Sequence, residues 1–112
     1  MGRRKMLIEA YASDLMKHCR MEPDMELLEK VAVGCGPAIF NPTEEFVTED
    51  TRNIQKVRRN FLVRKLTIPD GPELLAAIQA AIRSYGTPDI PKYRAVLFYL
   101  LVKRFGKEAY YR

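Results

Sequence analysis

The chain has 112 residues, 47% of them hydrophobic and 29% charged, with a net charge of +5. This length predicts one domain, and a chain of this size buries roughly two-thirds of its unfolded surface, enough for a core without disulfide staples. The composition excludes wholesale disorder.

The start MGRRKMLIEAYA is basic but lacks an apolar h-region, so no signal peptide is expected. Cys19 and Cys35 are the only cysteines, too few for a disulfide scaffold, and reduced thiols in a cytoplasmic protein are expected. The charge is unevenly placed. Residues 1–56 carry eight Lys/Arg against ten Asp/Glu, a balance of −2, and residues 57–112 carry eleven against four, a balance of +7.

In chain order, Ile8, Tyr11, Leu15 and Cys19 recur at spacings of three and four and predict a first helix from about Arg3 to Cys19. Pro23 ends it, and Asp24 is a candidate cap for a second helix, Asp24 to about Val33, with Leu27, Leu28, Val31 and Ala32 inward. Gly34–Phe46, GCGPAIFNPTEEF, breaks helix and strand alike and reads as a long connection, with Ile39, Phe40 and Phe46 pinning it to the core. A third helix runs from Thr48–Asp50 to Leu66. Ile54, Val57 and Phe61 form its inward stripe, and Arg52, Lys56 and Arg59 lie opposite. Phe61, Leu62, Val63 and Leu66 spread around its circumference, so its end is expected to be covered on two sides.

Asp70 with Glu73 reads as a capping box for a fourth helix, Gly71 to Tyr85, carrying Leu74, Leu75, Ile78, Ala81, Ile82 and Tyr85. Pro91 as a first-turn residue, Lys103 and Arg104 in the last turn and Gly106 as a stop frame a fifth helix, Pro91–Phe105. Ala95–Val102 is an unbroken apolar run. A helix apolar all round must be wrapped by the rest of the domain, yet eight residues fall short of the ~20 that cross a bilayer. The tail KEAYYR is expected to fray. The expected fold is all-α: a compact bundle of about five helices around a buried C-terminal helix, as one domain over residues 1–112.

Sites are harder to find. His18 adjoins Cys19, but helical neighbours point apart, and neither Ser13 nor Ser84 sits in a nucleophile elbow. His18, Cys19 and Cys35 lack zinc spacing, and Glu44, Glu45, Glu49 and Asp50 match no calcium loop, so no metal or cofactor is expected. The loop Gly34–Pro37 lacks the strand and Lys-Ser/Thr of a phosphate loop. The basic residues Arg58, Arg59, Arg64, Lys65, Lys103, Arg104 and Lys107 fall in two segments expected to approach each other. On a shared face they would suit an acidic protein or nucleic acid, with Tyr110 and Tyr111 as stacking surfaces. A solvated charged face accounts for the same residues.

The segments LIEAYASDL, DMELLEKVAVGCGPAIFN, NFLVRKL and KYRAVLFYLLVKRFGKEAYY resemble a small bacterial family catalogued as a domain of unknown function, of the DUF2853 kind. The resemblance spans nearly the whole chain. It implies a stand-alone bacterial cytosolic protein, with no activity or site residues to carry over. Three readings stay open: a non-catalytic binding or accessory protein for an acidic partner, a protein–protein module such as a homodimer, and a small enzyme using Cys35 and the Gly34–Phe46 loop.

Overall fold

The computed structural model describes residues 2–112. Helix α1 (Arg3–Lys17) buries Ile8, Tyr11, Ala12 and Leu15, the stripe its spacing requires. It stops two residues short of Cys19, and Arg20 turns the chain with φ 53°. Helix α2 (Met25–Gly34) is opened by Asp24, whose carboxylate accepts the Leu27 N–H at 3.2 Å. Its four inward residues Leu27, Leu28, Val31 and Ala32 are all buried.

The connection after α2 is more ordered than its glycines and prolines suggest. Gly36–Phe40 winds into a 3-10 turn that buries Ile39. Further on, Phe46 pairs antiparallel with Tyr93. The Val47 N–H donates to the Lys92 carbonyl and the Arg94 N–H to the Glu45 carbonyl, each at 2.8 Å. The Phe46 and Tyr93 rings stack at 4.6 Å, with Tyr11 edge-on to Tyr93 at 4.9 Å.

That pairing moves the start of the last helix. Pro91 was expected in its first turn, but Lys92 and Tyr93 are extended to meet the connection, and α5 is Arg94–Phe105. Ala95, Val96, Leu97, Tyr99, Leu100, Leu101 and Val102 are buried. Fully burying a large apolar side chain is worth about 1.5–3 kcal/mol, and no other helix buries so many neighbours in succession. Gly106 ends α5 in the left-handed region at φ 64°. The tail does not fray: Glu108–Tyr111 forms a 3-10 turn docked on α2.

Helix α3 (Thr51–Lys56) is capped by Asp50, which accepts the Asn53 N–H at 2.8 Å. The rod continues to Lys65, but from Val57 it is a π-helix, Val57–Lys65. The Leu66 N–H donates to the Phe61 carbonyl at 2.9 Å, five residues back. Phe61, Leu62 and Leu66 are all buried, and the wider winding brings Leu66 closer to the face of Phe61 than an α-helix would.

Helix α4 (Pro72–Tyr85) buries Leu74, Ala77, Ile78, Ala81, Ile82 and Tyr85. Its expected capping box does not form. Asp70 instead accepts from the Gly71 N–H and from Arg58, and Gly71 takes the cap position with no side-chain bond. The protein is thus a five-helix, all-α globule with α5 innermost. Among the described residues no helix is long and apolar enough to cross a membrane.

A cationic cleft as candidate functional site

The end of α2, the ordered connection, the α3–π rod and the first turns of α5 surround a cleft of about 660 Å³. That volume falls in the range of small-molecule pockets. The rod supplies one wall. Lys56, Asn60 and Lys65 all line it, four and five residues apart. In an α-helix residues five apart diverge, and the five-residue repeat of the π segment is what brings Lys65 round to the side of Asn60. The floor is apolar: Phe61 and Phe98 stack at 3.8 Å with rings nearly parallel.

Three cations line the cleft, Lys56, Lys65 and Arg94, against the single carboxylate of Glu44. The Lys65 ammonium donates to the Gly34 carbonyl at 2.8 Å. The Arg94 guanidinium donates through Nε to the Glu44 carbonyl at 2.7 Å and lies over the Phe98 ring at 5.7 Å. Both bonds go to neutral oxygens, so they orient the charges without cancelling them. The Glu44 carboxylate accepts from the Asn41 Nδ2 at 2.9 Å. The Lys56 and Asn60 side chains make no hydrogen bond within the described residues.

Cys35 also lines the cleft. Burial pushes its thiol from an ordinary 9.0 to about 11, although Lys65 and Arg94 pull the other way. A thiol that high is protonated at neutral pH and is not an activated nucleophile. His18 stands beside Tyr85, with ring centroids 6.3 Å apart, and bonds to neither cysteine within the described residues. Among the described residues no three His, Cys, Asp or Glu side chains converge as a metal would need. Behind the cleft the Tyr111 hydroxyl is buried without a hydrogen-bond partner.

Of the seven basic residues singled out by sequence, Lys65 alone lines this cleft. Arg58 is committed elsewhere: it pairs with Asp70 at 2.5 Å and donates to the Gln55 side chain at 2.8 Å. That bond holds the Asp70 carboxyl below the usual carboxylate range. Lys103 faces Glu108 at 3.7 Å. Arg59, Arg64, Arg104 and Lys107 form no ion pair within the described residues. Arg59 and Arg64, both exposed, sit five residues apart on the π segment. Lys56, Asn60, Arg94 and Phe98 were not legible as cleft residues. Lys56 reads as solvent-facing, and Arg94 and Phe98 read as parts of a structural helix, because the partner wall is more than 30 positions away in sequence.

A model of the family described as Protein of unknown function (DUF2853) matches residues 10–109. The chain belongs to this family. The match runs from the middle of α1 to the docked tail, so every cleft residue lies inside the family's domain. No curated protein matches the chain.

Proposed function

We propose that this member of the family is a non-catalytic binding or accessory protein of the bacterial cytoplasm, and that it recognises an acidic partner, nucleic acid or protein, through the outer surface of the π segment and the end of α5. The observation that carries the reading is the pair Arg59 and Arg64: both are exposed, both lack a carboxylate, and both are held on the π segment. Arg104, exposed, and Lys107, half-buried, add positive charge at the C-terminal end. Exposed cations without intramolecular partners keep their charge for phosphates or carboxylates of another molecule. The protonated Cys35 thiol favours this reading over a thiol enzyme.

The test is binding of two fluorescent polyanions, a single-stranded oligonucleotide and polyglutamate, at low ionic strength. The proposal expects at least one to bind and to be released by salt. If both fail to bind at low salt, the reading is abandoned.

A further inference from the structure

We infer that the cleft between the α3–π rod and the start of α5 is a binding site for a small organic phosphate. The inference stands apart from the macromolecular surface proposed above. It rests on Lys56, Lys65 and Arg94, not on Arg59 and Arg64.

Three cations face one carboxylate, an excess of two positive charges. A phosphate monoester carries ≈ −1.5 to −2 at neutral pH and presents several acceptor oxygens, so it matches that excess where a single carboxylate does not. The groups are also prepared for it. Lys65 and Arg94 are already oriented by the Gly34 and Glu44 carbonyls, so less side-chain freedom is lost on binding. Arg94 keeps its terminal N–H groups available for a forked pair of bonds, since Nε makes its carbonyl contact. Lys56 is unengaged, and Asn60 offers a side-chain amide from the same wall.

Shape says that the ligand is more than a bare phosphate. The cleft measures about 660 Å³, and beside the polar Thr43 and Asn53 its lining includes an apolar and aromatic set, Phe98, Phe61, Val57, Ala38 and Cys35. A planar or apolar remainder would lie against Phe98, whose ring is only partly buried. The one acidic group in the lining, Glu44, accepts from Asn41, and its charge is already counted in the excess of two.

The test is a nuclear magnetic resonance titration of the full chain with four probes: phenyl phosphate, inorganic phosphate, benzoate and phenol. Phenyl phosphate is expected to shift the amide signals of Cys35, Asn60 and Phe98 and to bind more tightly than inorganic phosphate or benzoate, with phenol silent. Lys56→Gln, at an exposed position with no structural bond, is expected to weaken phenyl phosphate about tenfold or more while leaving the rest of the spectrum unchanged. Arg94→Gln is expected to weaken it further. The assignment is overturned if phenyl phosphate leaves the cleft signals unmoved at about 10 mM, roughly ten times a weak 1 mM dissociation constant. It is equally overturned if benzoate binds as well as phenyl phosphate, if inorganic phosphate does, or if Lys56→Gln leaves the affinity unchanged. Polyanion binding, present or absent, has no bearing on these outcomes.

Discussion

Lys65 donates to the Gly34 carbonyl at 2.8 Å, and this one bond joins the end of the π segment to the end of α2. Glycine at position 34 leaves room for it. A Cβ there would stand 3.1 Å from the Lys65 Nζ and 3.3 Å from the Tyr111 ring. The same ammonium lies 5.9 Å from the centroid of Tyr111, so the C-terminal tail, α2 and the cleft wall meet at a single residue. Lys65→Met is therefore expected to cost about 1 kcal/mol, the net worth of a partly exposed hydrogen bond. It is also expected to raise hydrogen exchange across residues 108–111. Unchanged exchange in the tail would show that Lys65 does not hold it.

Tyr111 makes the complementary prediction. Its hydroxyl is buried with no partner, and an unsatisfied buried group costs about 1–3 kcal/mol. Tyr111→Phe removes the hydroxyl and keeps the ring. It is expected to leave the protein as stable or more stable in urea unfolding. A clear destabilisation would mean that the hydroxyl has a partner.

Tyr85 behaves in the opposite way. Its hydroxyl donates to the Asp14 carboxylate at 2.5 Å and accepts the Tyr93 N–H at 3.1 Å, linking α1, α4 and the start of α5. The ring is fully buried. Tyr85→Phe strands both partners and is expected to cost about 2–3 kcal/mol, because one of the lost bonds is to a charged group. Urea unfolding decides this too, and a loss below that of an ordinary surface substitution would contradict it.

Lys92 is the buried cation among the described residues, 3% exposed. Its ammonium donates to the Thr87 carbonyl at 2.7 Å and the Ile90 carbonyl at 2.9 Å, with the Glu49 carboxylate 3.4 Å away. The carbonyl bonds outweigh the ion pair, because Glu49 is itself well exposed and water screens it. Lys92→Met is expected to cost about 2 kcal/mol, and Glu49→Gln under about 1 kcal/mol. Equal losses from the two would assign the energy to the ion pair instead.

Alkaline pH should unfold the protein early. Burial raises the Tyr85 and Tyr111 phenols above their ordinary 10.0, and it raises the Cys19 and Cys35 thiols from 9.0 to about 11. As pH rises, the unfolded chain releases these protons before the folded one does. The unfolded state then binds fewer protons, so stability falls with increasing pH. The contribution is intact below about pH 9, erodes first through the thiols, and erodes further above pH 10 through the phenols. A stability flat from pH 8 to pH 11 would contradict these shifts. Alkylation of Cys35 at neutral pH should run about a hundredfold slower than that of an ordinary exposed thiol, in proportion to its thiolate fraction.

The helices were legible in the sequence because their signals are local. The stripe Ile8, Tyr11, Leu15, the Asp24 cap and the run Ala95–Val102 each lie within a few turns of chain, and each is found in place. The crowding of Phe61, Leu62 and Leu66 announced that the end of the third helix is covered on more than one side. Its π winding was not legible, because nothing in the residues from Val57 to Lys65 distinguishes a five-residue repeat from a four-residue one. The pairing of Phe46 with Tyr93 and the contact of Lys65 with Gly34 join residues 47 and 31 positions apart. No short-range pattern encodes such partners. Arg58 shows the same limit from the other side: its charge is visible in sequence, but Asp70, which claims it, is recognisable only once the rod and the following loop are folded together.

The central claim is tested most directly by the salt dependence of polyanion binding, with wild type beside Arg59→Gln/Arg64→Gln. The oligonucleotide or polyglutamate is expected to bind at low ionic strength and to lose affinity as salt rises. For a single-stranded oligonucleotide the double variant is further expected to flatten the log–log slope by about 1.4, at roughly 0.7 for each phosphate contact removed. A double variant that keeps the wild-type affinity and slope, or a wild type that binds neither polyanion, would contradict the claim.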